Sequence, residues 1–192
     1  MQLTINIKPL KDMQLIPLRT THPLYADAEQ LIISAFPPEE RRPTDKQKDA
    51  TDHNPSFHSY AVTLDGQFAG LLNLWTLDGF DYVEHLATLP EMRGHGLGKR
   101  ILQQLTAHTG RPVVLEVEPP TDELTTRRIG FYRRCGFTTW EKQHYMQPPY
   151  SADLPAIPLI LMVYGNLDED KDFDRVRREI HGKVYESSDI FL

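Results

Sequence analysis

Three groups of residues in this chain have types and spacings that could do chemistry. The first is Arg93-Gly94-His95-Gly96-Leu97-Gly98, followed by Lys99. Three glycines in five positions, directly before an amphipathic pattern, give a backbone able to close around phosphate oxygens. The unpaired N–H groups and positive dipole end of a helix beginning there supply the attraction. Two well-known phosphate loops are excluded by single positions. A dinucleotide fingerprint needs glycine at 99, where Lys99 stands, and a Walker loop needs glycine at 93 and Ser or Thr at 100, where Arg93 and Arg100 stand. The second group is a pair of glutamates in strand-like runs, Glu84 and Glu116, each able to take a proton. The third is Tyr132, whose phenol, with an ordinary pKa of about 10, can donate a proton at neutral pH without being ionised itself.

The flanks of the Gly-rich loop make its reading specific. Arg93, Gly96 and Gly98 form Arg-x-x-Gly-x-Gly. Before them runs Tyr82-Val83-Glu84-His85-Leu86-Ala87-Thr88-Leu89-Pro90, and after them comes Gly130-Phe131-Tyr132-Arg133-Arg134-Cys135-Gly136-Phe137. In order and separation this resembles the GNAT superfamily, the acyl-CoA-dependent N-acetyltransferases. The counterparts are its central strand, its pyrophosphate loop and its Phe-Tyr-x-x-x-Gly-Phe signature. The match runs from about Val83 to Phe137, less than a third of the chain.

The resemblance implies a cofactor and roles. Acetyl-CoA is the expected cosubstrate, with no metal. Leu86, Ala87 and Thr88 would lie along its pantetheine arm, where the family's central strand splays from a parallel neighbour. Arg93, Gly94, His95, Gly96, Leu97, Gly98 and Lys99 would hold its pyrophosphate. Tyr132 matches the tyrosine that commonly protonates the leaving sulfur. For the base, Glu84 and Glu116 both stand open, and Glu118 is a weaker candidate on the face of Glu116. Strict alternation puts Glu84 on one face with Leu86 and Thr88, and His85 on the other as a structural residue. Either glutamate has an alternative as an ion-pair partner of Arg127 or Arg128. The asparagine that family members often carry before the Phe-Tyr signature is replaced by the Arg127-Arg128 region. The segment Tyr145-Met146-Gln147-Pro148-Pro149-Tyr150 falls where family members shape the acceptor pocket, and reads equally as a rigid loop.

The elements that must position these groups are those of a mixed α/β chain. Leu24, Ala28, Leu31, Ile32 and Ala35 recur at helical spacing, so a helix covers about 23–36 after a short strand near 13–17, and Pro37-Pro38 ends it. Residues 39–55 are polar and without period. They read evenly as a mobile acceptor-binding segment or as a solvated loop with a short helix. Runs at 60–64 and 68–77, joined by Asp65-Gly66, predict a hairpin with a primed turn. A strand at 82–88 completes an antiparallel meander. A helix carrying Leu97, Ile101, Leu102 and Leu105 then leads to a strand at 113–117, which can lie parallel to its predecessor. Thr121 is the expected N-cap of a helix ending at Cys135, with Gly136 as its C′ residue. Strands near 137–146 and 157–164 follow, then a helix near 170–186 with Phe173, Val176, Ile180 and Val184 on one face. That helix packs on the domain or covers a partner, which allows a homodimer. The expected architecture is one GNAT-like α/β domain over 1–192, with a splayed, mixed sheet of six to seven strands flanked by helices.

Composition narrows the function. The chain has 192 residues, 40% hydrophobic and 25% charged, with a net charge of −6. That composition is globular and argues against nucleic acid as the main partner. Its single cysteine, Cys135, permits no internal disulfide, which fits a cytoplasmic protein. No signal peptide is read in Met1–Met13, and no apolar run is long enough for a membrane span. The expectation is an N-acetyltransferase acting on an amine, a small molecule in preference to a protein. The alternatives are a non-catalytic acyl-CoA-binding or sensing module on the same fold, and an interaction module without ligand.

Overall fold

The computed structural model describes residues 12–187, so most of the signal-peptide reading at the N-terminus lies outside the described residues. The chain runs β1 (Met13–Pro17), α1 (Tyr25–Ala35), α2 (Thr44–His53), β2 (Phe57–Leu64), β3 (Gln67–Leu77), β4 (Phe80–Thr88), α3 (Leu97–Thr109), β5 (Val113–Val117), α4 (Glu123–Arg134), β6 (Thr138–Gln147), β7 (Ile157–Tyr164) and α5 (Glu169–Lys183). The strands form one sheet in the order β1-β2-β3-β4-β5-β7-β6. The β2–β3 turn has positive φ at both Asp65 (51°) and Gly66 (78°), the geometry of a primed hairpin turn. β4 and β5 are parallel because α3 carries the chain back between them. β7 is inserted between β5 and β6, so the sheet ends on β6.

Helices cover both faces. Leu97, Ile101 and Leu102 of α3 and Ile129 of α4 pack with Leu72, Val83, Leu115 and Met162. On the other face Phe173, Val176 and Ile180 of α5 and Ala50 of α2 pack with Trp75, Tyr82 and Leu161. Beside them α1 covers Ala61, Leu71 and Ala87. The apolar stripe of α5 is therefore used on the chain's own sheet.

One local expectation changes and one open reading takes form. The cap of α4 is Asp122, one residue past Thr121. Its carboxylate accepts from Thr125 N at 2.7 Å while its own N–H donates to Thr125 Oγ1 at 3.1 Å, and this reciprocal box defines the helix start. The 39–55 segment is a 3-10 turn at Pro38–Glu40 followed by α2, and it buries Arg42. Of the two readings left open there, the short helix is what forms.

The larger difference concerns β4. Its register against β3 runs from Gly70↔Thr88 to Asn73↔His85, then resumes at Leu74↔Val83. Glu84 is the extra residue, a β-bulge, and a bulge reverses the alternation of side chains beyond it. Glu84 and His85 consequently lie on the same face, both against the 36–42 segment. Leu86 packs with the cluster under α3. The expectation that Glu84 shares a face with Leu86 and Thr88, with His85 opposite, fails because strict period two fails at the bulge. Parallel pairing of β4 with β5 covers Asp81–Val83 against Val113–Leu115 and stops there. The two strands part where the bulge begins.

Arg42 holds that point. Its Nη1 pairs with Glu84 Oε2 at 2.7 Å, and its Nη2 donates to Val184 O at 2.9 Å. The guanidinium also lies over Trp75 at 4.8 Å, Tyr150 at 5.4 Å and Phe57 at 5.5 Å. Trp75 Nε1 and Tyr150 Oη complete the shell of the Glu84 carboxylate at 2.8 and 2.6 Å. Removing one partner of such a pair leaves the other charge buried. Arg42→Met should therefore cost about 3–5 kcal/mol, and Arg42→Met/Glu84→Gln should recover most of it. Burial pushes the Glu84 carboxyl up, but Arg42, His85 and the hydrogen bonds more than offset this and hold it below its ordinary value. Because the folded value is depressed, the stabilisation is full above the ordinary carboxylate range and is lost as pH falls through the folded value. Urea denaturation of wild type and both variants from pH 7 downward checks this. A single variant no weaker than the double at pH 7, or a deficit that does not shrink on acidification, would contradict it.

Candidate active site

The parting of β4 and β5 opens a cavity of about 500 Å³ that passes between the two faces of the sheet. Leu86, Ala87 and Thr88 line it from β4, Glu116 and Val117 from β5, and Tyr132 from α4. Backbone of both strands borders the gap beyond the last β4–β5 pair, an opening that an extended ligand can occupy by strand-like bonding.

The Gly-rich loop lies between β4 and α3, and Arg93 reaches the cavity wall. Gly94 and Gly96 have φ of 77° and 75°, and nothing lies within 4 Å of where a Cβ would stand on either. The left-handed backbone that favours glycine is thus combined with free space over the loop. α3 begins with no side-chain cap and no acidic residue in its first turn, unlike α4 and α5, which Asp122 and Asp168 cap. Arg100 N donates to Gly96 O, so the N–H groups of 97–99 precede the helical ladder. Uncapped donors, an Arg beside them and open space fit a pyrophosphate. His95 and Lys99 are exposed at the same end. The Leu97 side chain is buried in the core, which leaves its N–H as the group it can offer. Gly98 has a packing duty, because a Cβ there would stand 3.2 Å from the Phe131 ring.

The two glutamates occupy contrasting surroundings. Glu84 is 1% exposed in its side chain, ion-paired and three times bonded. Its cation is Arg42 and neither Arg127 nor Arg128; Arg128 pairs with Glu118, and both line the cavity. Glu116 faces hydroxyls only. Tyr145 donates to its Oε1, and Tyr185 donates to its Oε2 at 2.7 Å. The Tyr185 hydroxyl lies 3.3 Å from that of Tyr82. Burial raises the Glu116 carboxyl, the tyrosine hydroxyls lower it in part, and Glu84 raises it further, leaving it at about 7.

Tyr132 packs edge-on against Phe131 and Phe137, with centroids 5.1 and 5.9 Å away. Burial pushes its hydroxyl up to about 12, with Arg128 pulling the other way. Among the described residues, no group of three or more His, Cys, Asp or Glu could hold a metal ion. No described helix is long and apolar enough to cross a membrane.

Arg42, Tyr145 and Tyr185 escape sequence reasoning as members of this site. Tyr145 begins a segment read for its aromatic and proline content. Tyr185 follows α5 and meets Glu116 from 69 positions away, with no local signal to announce it. Arg42 sits in a polar stretch without period.

Comparison with known proteins accords with this geometry. The model of the Acetyltransferase (GNAT) family matches residues 24–137. YjbC of Bacillus subtilis strain 168, named as a candidate acetyltransferase, is 27% identical over 134 residues, covering 60% of this chain and 67% of that protein. A solved structure of a candidate GNAT-family acetyltransferase from Bacteroides thetaiotaomicron is 41% identical. It covers 92% of this chain and 99% of its own, with a TM-score of 0.86. A GNAT-family acetyltransferase from Elizabethkingia anophelis, solved with acetyl-CoA bound, shares the fold at 13% identity and a TM-score of 0.55, covering 80% of this chain and 98% of its own.

A substitution pair separates charge from backbone strain at the loop. Gly96→Glu places a like charge against a pyrophosphate and should abolish measurable acetyl-CoA binding by calorimetry. Gly96→Asn, a residue that tolerates the left-handed backbone, should bind far more tightly than Gly96→Glu. Equal affinity in the two folded variants would show that the loop does not hold the phosphates.

Proposed function

The chain belongs to the GNAT acetyltransferase family and is an acyltransferase, and from that premise we propose that it moves acetyl from acetyl-CoA to a primary amine by direct attack, with Glu116 as base and Tyr132 as acid. The observation that carries this reading is the Glu116 carboxylate on the wall of the gap where β4 and β5 part, bonded by phenols that bring no positive charge, a setting that raises it to about 7. A base works best when its pKa lies near the operating pH. Glu84 is disfavoured for that role because Arg42 already compensates its charge and holds its carboxyl low. A sensing module would have no use for a carboxylate kept near neutrality beside the gap.

Bound acetyl-CoA supplies a thioester whose acyl carbon accepts an amine and whose sulfur leaves as thiolate. In this reading the N–H groups at the start of α3 and Arg93 hold its pyrophosphate, and the free edge at 86–88 its pantetheine arm. Glu116 takes the proton from the incoming ammonium, because only the free amine can attack. Tyr145 and Tyr185 fix the orientation of the carboxylate through the reaction. Tyr132 gives its hydroxyl proton to the departing sulfur, a transfer suited to a phenol that stays protonated across the neutral range. The acceptor is read as a small molecule in preference to a protein.

Two measurements test the assignment once an amine is turned over. The pH profile of kcat/KM should rise through a pKa of about 7, since Glu116 must be ionised to accept a proton. Glu116→Gln should lose that limb and about 10²–10⁴ of the rate, while acetyl-CoA affinity changes little. An unaltered limb in Glu116→Gln would remove Glu116 from the mechanism. Tyr132→Phe keeps the ring and its packing, so turnover should fall with melting temperature held. Stability lower by about 1 kcal/mol with turnover per folded molecule preserved would make the hydroxyl a structural anchor.

A further inference from the structure

Four carboxylates line the cavity: Glu40, Glu84, Glu116 and Glu118. Glu84 is neutralised by Arg42 and Glu118 by Arg128. The remaining arginine of the lining, Arg93, stands at the Gly-rich loop. Glu116 is held by phenols and Glu40 by no side chain, so neither has a cation partner among the described residues. Burial and the neighbouring Glu118 both push the Glu40 carboxyl up, with Arg128 the smaller opposing influence. Two carboxylates without cation partners in one cleft favour a ligand that brings two positive charges.

Glu40 is also fixed in place. His85 Nε2 donates to Glu40 O at 2.9 Å, and Gln147 Nε2 donates to Glu39 O at 2.8 Å. The donation to a carbonyl sets the His85 tautomer, leaving Nδ1 to accept from Asn73 Nδ2 at 3.3 Å. Arg41 Nε ties the turn to Phe36 O at 3.1 Å. The Pro38–Glu40 turn is thus pinned by side chains of β4 and β6, with Glu40 on the cavity wall.

We propose that Glu40 is a specificity-determining residue that binds a second cationic group, and that the acceptor is a small diamine, one nitrogen presented to Glu116 and the other paired with Glu40. This rests on the transferase reading above and names its substrate class. The second cation is not at the reacting centre, so it contributes chiefly to KM.

The test is acetyl transfer to a ladder of amines from 1,3-diaminopropane to 1,6-diaminohexane, each set against the alkylamine and the ω-amino acid of the same length. At the best length the diamine should exceed the alkylamine in kcat/KM by about tenfold, between the effects of exposed and buried charge pairs. The ω-amino acid should be the poorest. Glu40→Gln should bring the diamine-to-alkylamine ratio close to one through KM, and Glu40→Lys should shift preference toward the ω-amino acid. Alkylamines as good as diamines, or a ratio that Glu40→Gln leaves intact, would overturn the proposal. So would a protein that binds acetyl-CoA by calorimetry yet acetylates none of these amines. Failure to bind acetyl-CoA would sink the transferase reading itself, and calorimetry distinguishes the two failures.

Discussion

The buried pair of Arg42 and Glu84 is the interaction on which the rest of this structure depends. A bulge puts an extra residue into β4, and here that residue is a glutamate aimed into the core. An uncompensated carboxylate there would be prohibitive. Arg42 compensates it, and in reaching it draws the start of α2 and the end of α5 to one point, since its second amino group bonds Val184 O. The bulge in turn marks where β4 stops pairing with β5. Charge, strand geometry and the opening of the cavity thus meet at one contact between residues 42 positions apart.

That dependence also separates two residues of the same type. Glu84 and Glu116 both come from strands bordering the gap, and both are enclosed. One meets a guanidinium, an indole N–H and a phenol, and its carboxyl is held low. The other meets phenols only, and its carboxyl is raised to about 7. Phenols donate hydrogen bonds without bringing positive charge, so they orient a carboxylate while leaving much of its desolvation uncompensated. Environments that push two like groups apart in pKa assign them different work. The proposed division, Glu84 holding the opening and Glu116 taking the proton, follows from that contrast.

Much of this architecture was legible in the residues alone, for reasons that mark where legibility ends. The meander, α3 and the parallel β5 declare themselves through local period and turn chemistry, as at Asp65-Gly66. The glycines of the 94–98 loop are readable because left-handed backbone and close packing both demand them. What alternation cannot see is a bulge, because one inserted residue leaves composition unchanged and reverses every face beyond it. Alternation puts Glu84 on the face of Leu86, and the bulge turns it to the face of His85. Arg42 and Tyr185 were illegible for another: their partners are 42 and 69 positions away, and nothing beside them in the chain signals the contact. Asp122 took the cap from Thr121 because its carboxylate reaches Thr125 N, a choice of one position that propensity does not settle.

The cleft also shows why the overall charge of −6 is a poor guide to the ligands. At the α3 end stand Arg93, uncapped N–H groups and the positive end of a helix dipole. Along the cavity wall stand Glu40 and Glu116, without a cation partner among the described residues. Phosphates are attracted to one end and ammonium groups to the other, so the arrangement orders the two proposed substrates relative to each other before any specific bond forms. Both attractions are screened by physiological salt beyond about 8 Å, and both are strengthened where the walls exclude water. A uniformly acidic surface would repel the phosphates, and a uniformly basic one the amine. The separation of sign within a single opening suits a net-negative chain to both proposed substrates.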